Sequence, residues 1–483
     1  MPETKNILFL IAEAEPFVKV GGLADVGGAL PLTLRALEGG PSLDVRLALP
    51  LHSVAKVDRA ALALRAEFSL VCGGNLLPVR VLEGELRGMP VYFIDGGPIS
   101  EAATVYSSNP ALDREKYTFF SLAALEMCHL LGWRPDIIHA NDWHTALALY
   151  ALRTRPDDPF FSPTRLLLTL HNLPYMGGDG AEQLAAYGLR PLTDETLPPW
   201  AYTQPLPLGL WAADKIVAVS PTYGQEVLTP EFGCGLQDFL RGRGAALMGI
   251  LNGIDIASWD PAHDPALAAN FDTKNLESRR LNTRRLRERL GLPDDPNVPL
   301  LAMVGRIDPQ KGVDIVLDAL RQIVDLPPGP LARTGWQFVI LGKGDASLEN
   351  GARRLEADFS SRVRAVIDFD TPLGRLIYAG ADIFLMPSRY EPCGLAQMNA
   401  MCYGCVPLVR ATGGLKDTVT EGQTGFLFEA ASPVALLSAL RRALSLYHQP
   451  EEWRKLQLNG MRQDFSWTKS AGQYRVVYQS LIA

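Results

Sequence analysis

Cysteine is scarce, with six in 483 residues. That is too few for a disulfide framework and fits a reducing compartment. Long apolar runs are missing as well. The first run, Ile7 to Ala12, stops at Glu13 and Glu15 and is too short for a signal-peptide core. No run approaches the roughly 18 apolar residues of a membrane span. Charge of one sign is not in excess either. Lys and Arg number 46 against 53 Asp and Glu, a net charge of −7, so no bulk basic field exists to hold nucleic acid or an anionic bilayer. His139, His144 and His171 show no metal-ligand spacing such as H-E-x-x-H, and neither a metal nor a cofactor is expected. No internal repeat stands out. What remains is a globular, cytoplasmic chain, with 47% hydrophobic and 20% charged residues.

Short Val/Ile/Leu runs alternate with helical patterns from end to end. Strands are predicted at Ile7–Ala12, Val45–Leu49, Pro90–Ile94, Ile137–His139, Arg165–Leu170 and Lys215–Val219. A second set covers Leu300–Val304, Trp336–Leu341, Ala365–Ile367, Ile383–Met386 and Val406–Arg410. Runs of four to six such residues read as strands buried on both faces of a parallel sheet. Helices are predicted between them, at Leu23–Leu37, Lys116–Leu131, Leu276–Leu290 and Val313–Ile323. The series restarts after Asn252-Gly253-Ile254-Asp255. The pattern therefore predicts an α/β chain of two doubly wound, Rossmann-like domains facing across a deep cleft, residues 1–255 and 256–464. The basic helix from Arg279 to Arg289, with a loose stripe of Leu276, Leu281, Leu286 and Leu290, reads as a solvated face. Cys402 and Cys405 read as two packed thiols.

The residues that carry chemistry lie just after predicted strands. Lys19-Val20-Gly21-Gly22 opens the first helix, and its paired glycines and helix start suit an anion, with Lys19 adding a mobile charge. Gly305-Arg306 through Lys311-Gly312 places an Arg fork and a Lys five residues apart across a Pro-containing turn, so both can face one point, which suits a diphosphate. In Ser388-Arg389-Tyr390-Glu391-Pro392-Cys393-Gly394-Leu395, a carboxylate beside a helix start suits sugar hydroxyls next to a phosphate. Trp143 and Tyr175 could stack on sugar faces, and His171 could donate to a hydroxyl or poise a proton. Thr412-Gly413-Gly414 resembles the first motif and reads as a second backbone anion cradle. Together these groups suit transfer from an activated sugar diphosphate.

These motifs, with His139-Ala140-Asn141-Asp142-Trp143-His144, His171-Asn172-Leu173, Val219-Ser220-Pro221-Thr222-Tyr223 and Phe465-Ser466-Trp467, resemble the bacterial glycogen synthases and the plant starch synthases. The resemblance is nearly full-length. It implies a GT-B fold and a retaining transfer of glucose from ADP-glucose to the non-reducing 4-hydroxyl of an α-1,4-glucan such as glycogen. Lys19, Arg306 and Lys311 then match residues on the diphosphate, and Gly22, Gly394 and Leu395 give backbone contacts to the donor. Glu391 matches the acid that holds the transferred glucose, His171 lies beside the reacting sugar, and Asn252 falls in the donor region. Phe369 falls where the family sets a ring against adenine. Glu13, Asp142 and Trp143 match acceptor or sugar positions. The resemblance also implies that the tail, residues 465–483, packs back onto the first domain. For the retaining step it favours front-face attack with the leaving phosphate as base. Two segments depart from the family pattern, Leu189 to Trp211 and Asp368-Phe369-Asp370-Thr371. Readings kept beside this one are a UDP-glucose donor or small acceptor on the same fold, a silent glucan-binding protein, and a nucleotide-sugar epimerase.

Overall fold

The Leu/Ile/Val runs form strands because each is covered on both faces, as at Ile7 to Leu10, where exposure is 0%. The computed structural model describes residues 4–155, 158–324 and 335–482. Its contacts divide the chain into two units, one running to Gly253 and resuming at Ser466, the other spanning Ile254–Phe465. The division falls two residues earlier than the sequence boundary at 255. The Ile254 N–H donates to the Phe465 carbonyl at 2.8 Å and ties both residues into the second unit.

In the first unit the strands are β1 Lys5–Leu10, β2 Leu43–Pro50, β3 Ala63–Cys72, β4 Asn75–Leu86, β5 Met89–Gly96, β6 Ile137–Asn141, β7 Arg165–Leu170, β8 Lys215–Ala218 and β9 Leu247–Gly249. They make one nine-stranded sheet in the order β3-β4-β5-β2-β1-β6-β7-β8-β9. Pairing is parallel except for the edge β3-β4-β5, which is antiparallel. The sequence reading did not contain β3 and β4. β3 alternates exposed and half-buried residues and β4 buries only Val79, Val81, Leu82 and Leu86, so they lack the continuous apolar signal of a covered strand.

The tail helix Trp467–Ile482 belongs to this unit's core through Trp467, Tyr474, Val477 and Tyr478. A Cβ on Gly253 would stand 2.6 Å from the Trp467 backbone nitrogen, so only glycine lets the chain pass there. Tyr474 and Tyr478 reach the sheet at His139. The Tyr478 hydroxyl sits 2.8 Å from His139 Nδ1, and the Thr169 Oγ1 sits 2.7 Å from its Nε2. His139 is thus a satisfied core residue, 0% exposed.

The second unit is all parallel. Its strands are β10 Leu300–Val304, β11 Gln337–Leu341, β12 Val363–Val366, β13 Ile383–Met386, β14 Val406–Arg410 and β15 Phe426–Phe428, in the order β12-β11-β10-β13-β14-β15. This is the doubly wound order in which the sheet reverses direction once, between β10 and β13. The first sheet reverses likewise between β1 and β6. The basic helix Arg279–Leu290 is not simply solvated. Arg279 and Arg287 are buried, donating to the Tyr403 carbonyl at 2.9 Å and to Gln337 Oε1 at 2.9 Å, while Leu281 points outward. Cys402 and Cys405 are free thiols that burial pushes up to about 12.

Two predictions follow from this packing. Tyr478→Phe removes one partner of a buried imidazole, so chemical denaturation should show a loss of about 1–3 kcal/mol; no loss would mean that His139 needs no partner there. The second concerns acid. Burial holds His139 and His144 well below the ordinary histidine range, His52 to about 4 and His171 to about 3. A depressed folded pKa contributes stability that is intact above the unfolded value, about 6.5, and is lost as pH falls toward the folded one. Asp142, raised by burial to about 7, and Glu13 and Asp25, also raised by burial, act in the opposite direction as pH rises, but they are three groups against four. Hydrogen-exchange protection in β6 and β7 should therefore weaken between pH 7 and pH 5 after correction for intrinsic exchange. Constant protection would contradict the assignment.

Candidate active site

Ligands of doubly wound sheets bind beyond the carboxyl ends of the strands, where the order reverses. The chain segments leaving β1 and β6, and those leaving β10 and β13, occupy these points. They carry the Lys19, Asp142, Arg306 and Glu391 motifs, while His171 follows β7 and Gly413-Gly414 follows β14.

After β1 the chain passes Glu13, 2% exposed, and reaches the Lys19 loop. Glu13 Oε2 accepts the N–H groups of Val20 at 2.5 Å and Gly21 at 3.1 Å, and Oε1 accepts the Tyr106 hydroxyl at 2.6 Å. Burial raises the Glu13 carboxyl, and these three donors oppose that rise. Part of the anticipated anion cradle is thus filled by the protein's own carboxylate. Gly22 remains exposed at the start of the helix Gly22–Ala36, which has no side-chain cap. Lys19 Nζ contacts Glu15 Oε2 at 2.8 Å and Asp25 Oδ1 at 2.7 Å. Burial works against its charge, but Asp25 and Glu15 outweigh it and hold the amine above its usual range.

After β6, Asp142 takes φ +55°, a left-handed value costly for a residue with a side chain. Its Oδ1 accepts the backbone N–H groups of His171 at 2.7 Å and Asn172 at 3.3 Å, which explains why the strain is tolerated. Burial lifts the carboxyl to about 7. His171 is half-buried, with Nε2 2.9 Å from Asn141 Oδ1. Trp143 is less available than the sequence reading supposed. Its ring meets Tyr117 edge-on at 5.2 Å, and a Cβ on Gly177 would lie 2.7 Å from it. Tyr175 is exposed. Asn252 is buried, and its Oδ1 has no hydrogen-bond partner among the described residues. The atypical segment is well packed. It forms the helix Pro205–Ala212, and Trp211 Nε1 donates to Asp194 Oδ2 at 2.8 Å.

In the second unit, the chain leaving β13 lies directly on the chain leaving β10. Gly312 has φ +69°, and a Cβ there would stand 2.3 Å from the Pro387 carbonyl oxygen. This close approach brings Lys311 to Glu391. Nζ lies 2.9 and 2.7 Å from the two carboxylate oxygens, and the Ser388 hydroxyl donates to Oε2 at 2.9 Å. Glu391 is 5% exposed and caps no helix. Arg306 is exposed, 3.3 Å from Asp308. Gly394 has φ +70°, and Leu395 leads into the helix Ala396–Cys402. Phe369 is 76% exposed.

The second cradle, at Gly413-Gly414, is not one. The Gly414 N–H is spent on the carbonyls of Glu391 and Pro392, both at 3.2 Å. A Cβ on Gly413 would fall 1.9 Å from the Glu391 carbonyl oxygen. These glycines let the Glu391 loop settle on the turn that follows β14. Sequence reasoning also assigned no role to Tyr106, Glu15 or Ser388. Ser388 was within reach, three residues before a carboxylate; Tyr106 lies far from Glu13 in sequence and carried no signal.

The starch synthase catalytic domain family model matches residues 6–242, and that of glycosyl transferases group 1 matches residues 282–457. The chain is 42% identical over 490 residues to a glycogen synthase of Syntrophotalea carbinolica, with 99% of each chain covered. It is 40% identical over 497 residues to glycogen synthase 1 of Methylococcus capsulatus, covering 99% of this chain and 97% of the relative. Among solved structures, the catalytic domain of starch synthase IV from Arabidopsis thaliana, bound to ADP and acarbose, superposes with a TM-score of 0.87 at 32% identity, covering 99% of this chain and 100% of that one. A likeness sustained over both units, in sequence and in backbone, makes this chain a member of the glycogen and starch synthase family, glycosyltransferases of the GT-B fold.

Proposed function

We propose that the enzyme transfers glucose from ADP-glucose to the non-reducing 4-hydroxyl of an α-1,4-glucan, with retention at the anomeric carbon and release of ADP. The observation that carries this reading is the Lys311–Glu391 pair at the strand-order reversal of the second sheet, where a cation and a buried carboxylate stand side by side. A departing diphosphate needs positive charge, and a sugar needs acceptors for its hydroxyl protons. One pair offers both. The ADP and acarbose bound to starch synthase IV support an adenosine diphosphate and an oligosaccharide as the two ligand classes.

On this reading Lys311, Arg306 and Lys19 neutralise charge on the diphosphate, with the N–H of Gly22 and those of Gly394 and Leu395 adding backbone contacts. Lysine gives a mobile point charge and arginine a fixed fork, so the two kinds divide tracking and orientation between them. Glu391, held by Lys311 and Ser388, accepts hydroxyls of the transferred glucose. The exposed Phe369 ring offers a face to adenine. Asn252 offers its unpartnered Oδ1 in the donor region, and Asp142 holds the His171 backbone. Glu13 acts on the glucan side through the loop it braces, with Trp143 packed behind. Retention proceeds by attack of the acceptor hydroxyl on the face the phosphate leaves, and the phosphate oxygen takes the proton. No metal enters this scheme, since three side-chain cations carry the charge. Among the described residues no helix is long and apolar enough to cross a membrane, and we place the enzyme in the cytoplasm.

The deciding experiment follows nucleoside diphosphate release with glycogen and either ADP-glucose or UDP-glucose. Fast ADP release that requires glycogen and persists in EDTA is expected. Preference for UDP-glucose overturns the donor, and no turnover with either moves the weight to a silent glucan binder. Lys19→Ala should lower kcat by about 100-fold or more, the usual cost of losing one charge-stabilising group, with little change in thermal stability because Lys19 itself is exposed, paired with an exposed Glu15 and a half-buried Asp25. Activity within a few-fold of wild type would remove Lys19 from the site. Phe369→Ala should raise KM for ADP-glucose with kcat nearly intact; an unchanged KM would place adenine elsewhere.

A further inference from the structure

Asn141 ends β6 and is 0% exposed. Its side chain spans the reversal point of the first sheet. Nδ2 donates to the Leu10 carbonyl at the end of β1, at 2.9 Å, and Oδ1 faces His171 Nε2 beyond β7, at 2.9 Å. Its backbone is clamped too, since its N–H donates to Thr145 Oγ1 at 2.6 Å, and that hydroxyl donates back to the Asn141 carbonyl at 3.0 Å.

The amide has one workable orientation. A backbone carbonyl only accepts, so the NH₂ end must face Leu10, which turns the oxygen toward His171. That oxygen only accepts, so His171 Nε2 must carry a proton. The ring is neutral, because burial holds its pKa to about 3. Its single proton is therefore on Nε2. Nδ1 is left as a bare acceptor and has no partner among the described residues. The backbone N–H of the same residue is held by Asp142 Oδ1 at 2.7 Å, so the residue is anchored at both ends.

We propose that Asn141 is a positioning residue that fixes His171 as the neutral Nε2–H tautomer, so that Nδ1 accepts a hydrogen bond from a hydroxyl of the sugar. This rests on the reading of His171 as sugar-facing. It revises the expectation that His171 donates to a hydroxyl or supplies a proton: the locked ring can do neither through Nδ1. The acceptor also selects its ligand. A hydroxyl can donate to Nδ1, whereas an ether or ring oxygen cannot, and an unpaired acceptor against a deoxy sugar is penalised.

The titratable groups around the ring are Asp142 on its backbone side and the imidazoles of His139 and His144. Asp142, raised by burial to about 7, titrates in every variant. The informative quantity is therefore the difference between variants.

The test is ¹⁵N-imidazole NMR on the full-length enzyme, with His171 assigned by its loss in His171→Gln. The wild type should show Nε2 protonated and Nδ1 bare from pH 8 to pH 5. A proton on Nδ1, or a second proton taken up in that range, overturns the proposal. Asn141→Asp sets a carboxylate against Nε2, which favours the imidazolium. His171 should then titrate within the range, and kcat should fall at least tenfold below the new pKa, where the wild type shows no such limb. If that variant folds and its His171 neither titrates nor adds the limb, Asn141 does not set the ring. If it does not fold, the wild-type spectrum decides. Full activity in His171→Gln, with the tautomer as stated, would defeat the sugar-facing reading and with it the role given to Nδ1.

Discussion

A parallel sheet that reverses its strand order once leaves one place where two neighbouring loops diverge and backbone groups lie open. The parallel part of each sheet does so here, between β1 and β6 and between β10 and β13. The chemistry follows from that constraint. Residues 305–312 and 387–395 are distant in sequence but exit adjacent strands. Glycine at 312 lets them touch. Lys311 and Glu391 meet because the sheet brings their strands together, and no local sequence preference would have paired them.

The cations assigned to the diphosphate share a second property. Each is held by a carboxylate of the protein: Lys19 by Glu15 and Asp25, Arg306 by Asp308, Lys311 by Glu391. The exposed pairs contribute little to stability, and a doubly charged diphosphate can displace them at small cost. Lys311–Glu391 is different, because Glu391 is buried and removal of Lys311 would strand its charge. Substitutions at the two lysines therefore differ in kind. On the proposed assignment, loss of Lys19 reports on catalysis, whereas loss of Lys311 mixes catalysis with folding.

Much of this was legible in the sequence for a physical reason. A covered parallel strand needs unbroken apolar residues, so β7, β10, β13 and β14 could be bounded to the residue. The motifs could be placed because they followed those strands. The antiparallel edge β3-β4 was not legible, since one half-exposed face breaks the signal. Nor was the use of each glycine pair. Gly21-Gly22 and Gly413-Gly414 look alike in sequence, yet a chain crossing beneath Gly413 converts the second pair from an anion site into a packing contact. That distinction depends on what lies above the turn, which spacing does not encode.

The same holds for protonation. A histidine in a motif is read as a donor, an acceptor or a ligand with equal ease. Its state is decided one layer back, by groups that can only donate or only accept. At His171 the chain of logic ends on the Leu10 carbonyl, which has a single possible role and passes it through Asn141 to the ring. The sheet that brings β1, β6 and β7 side by side therefore sets, together with burial, where one proton sits on the His171 ring.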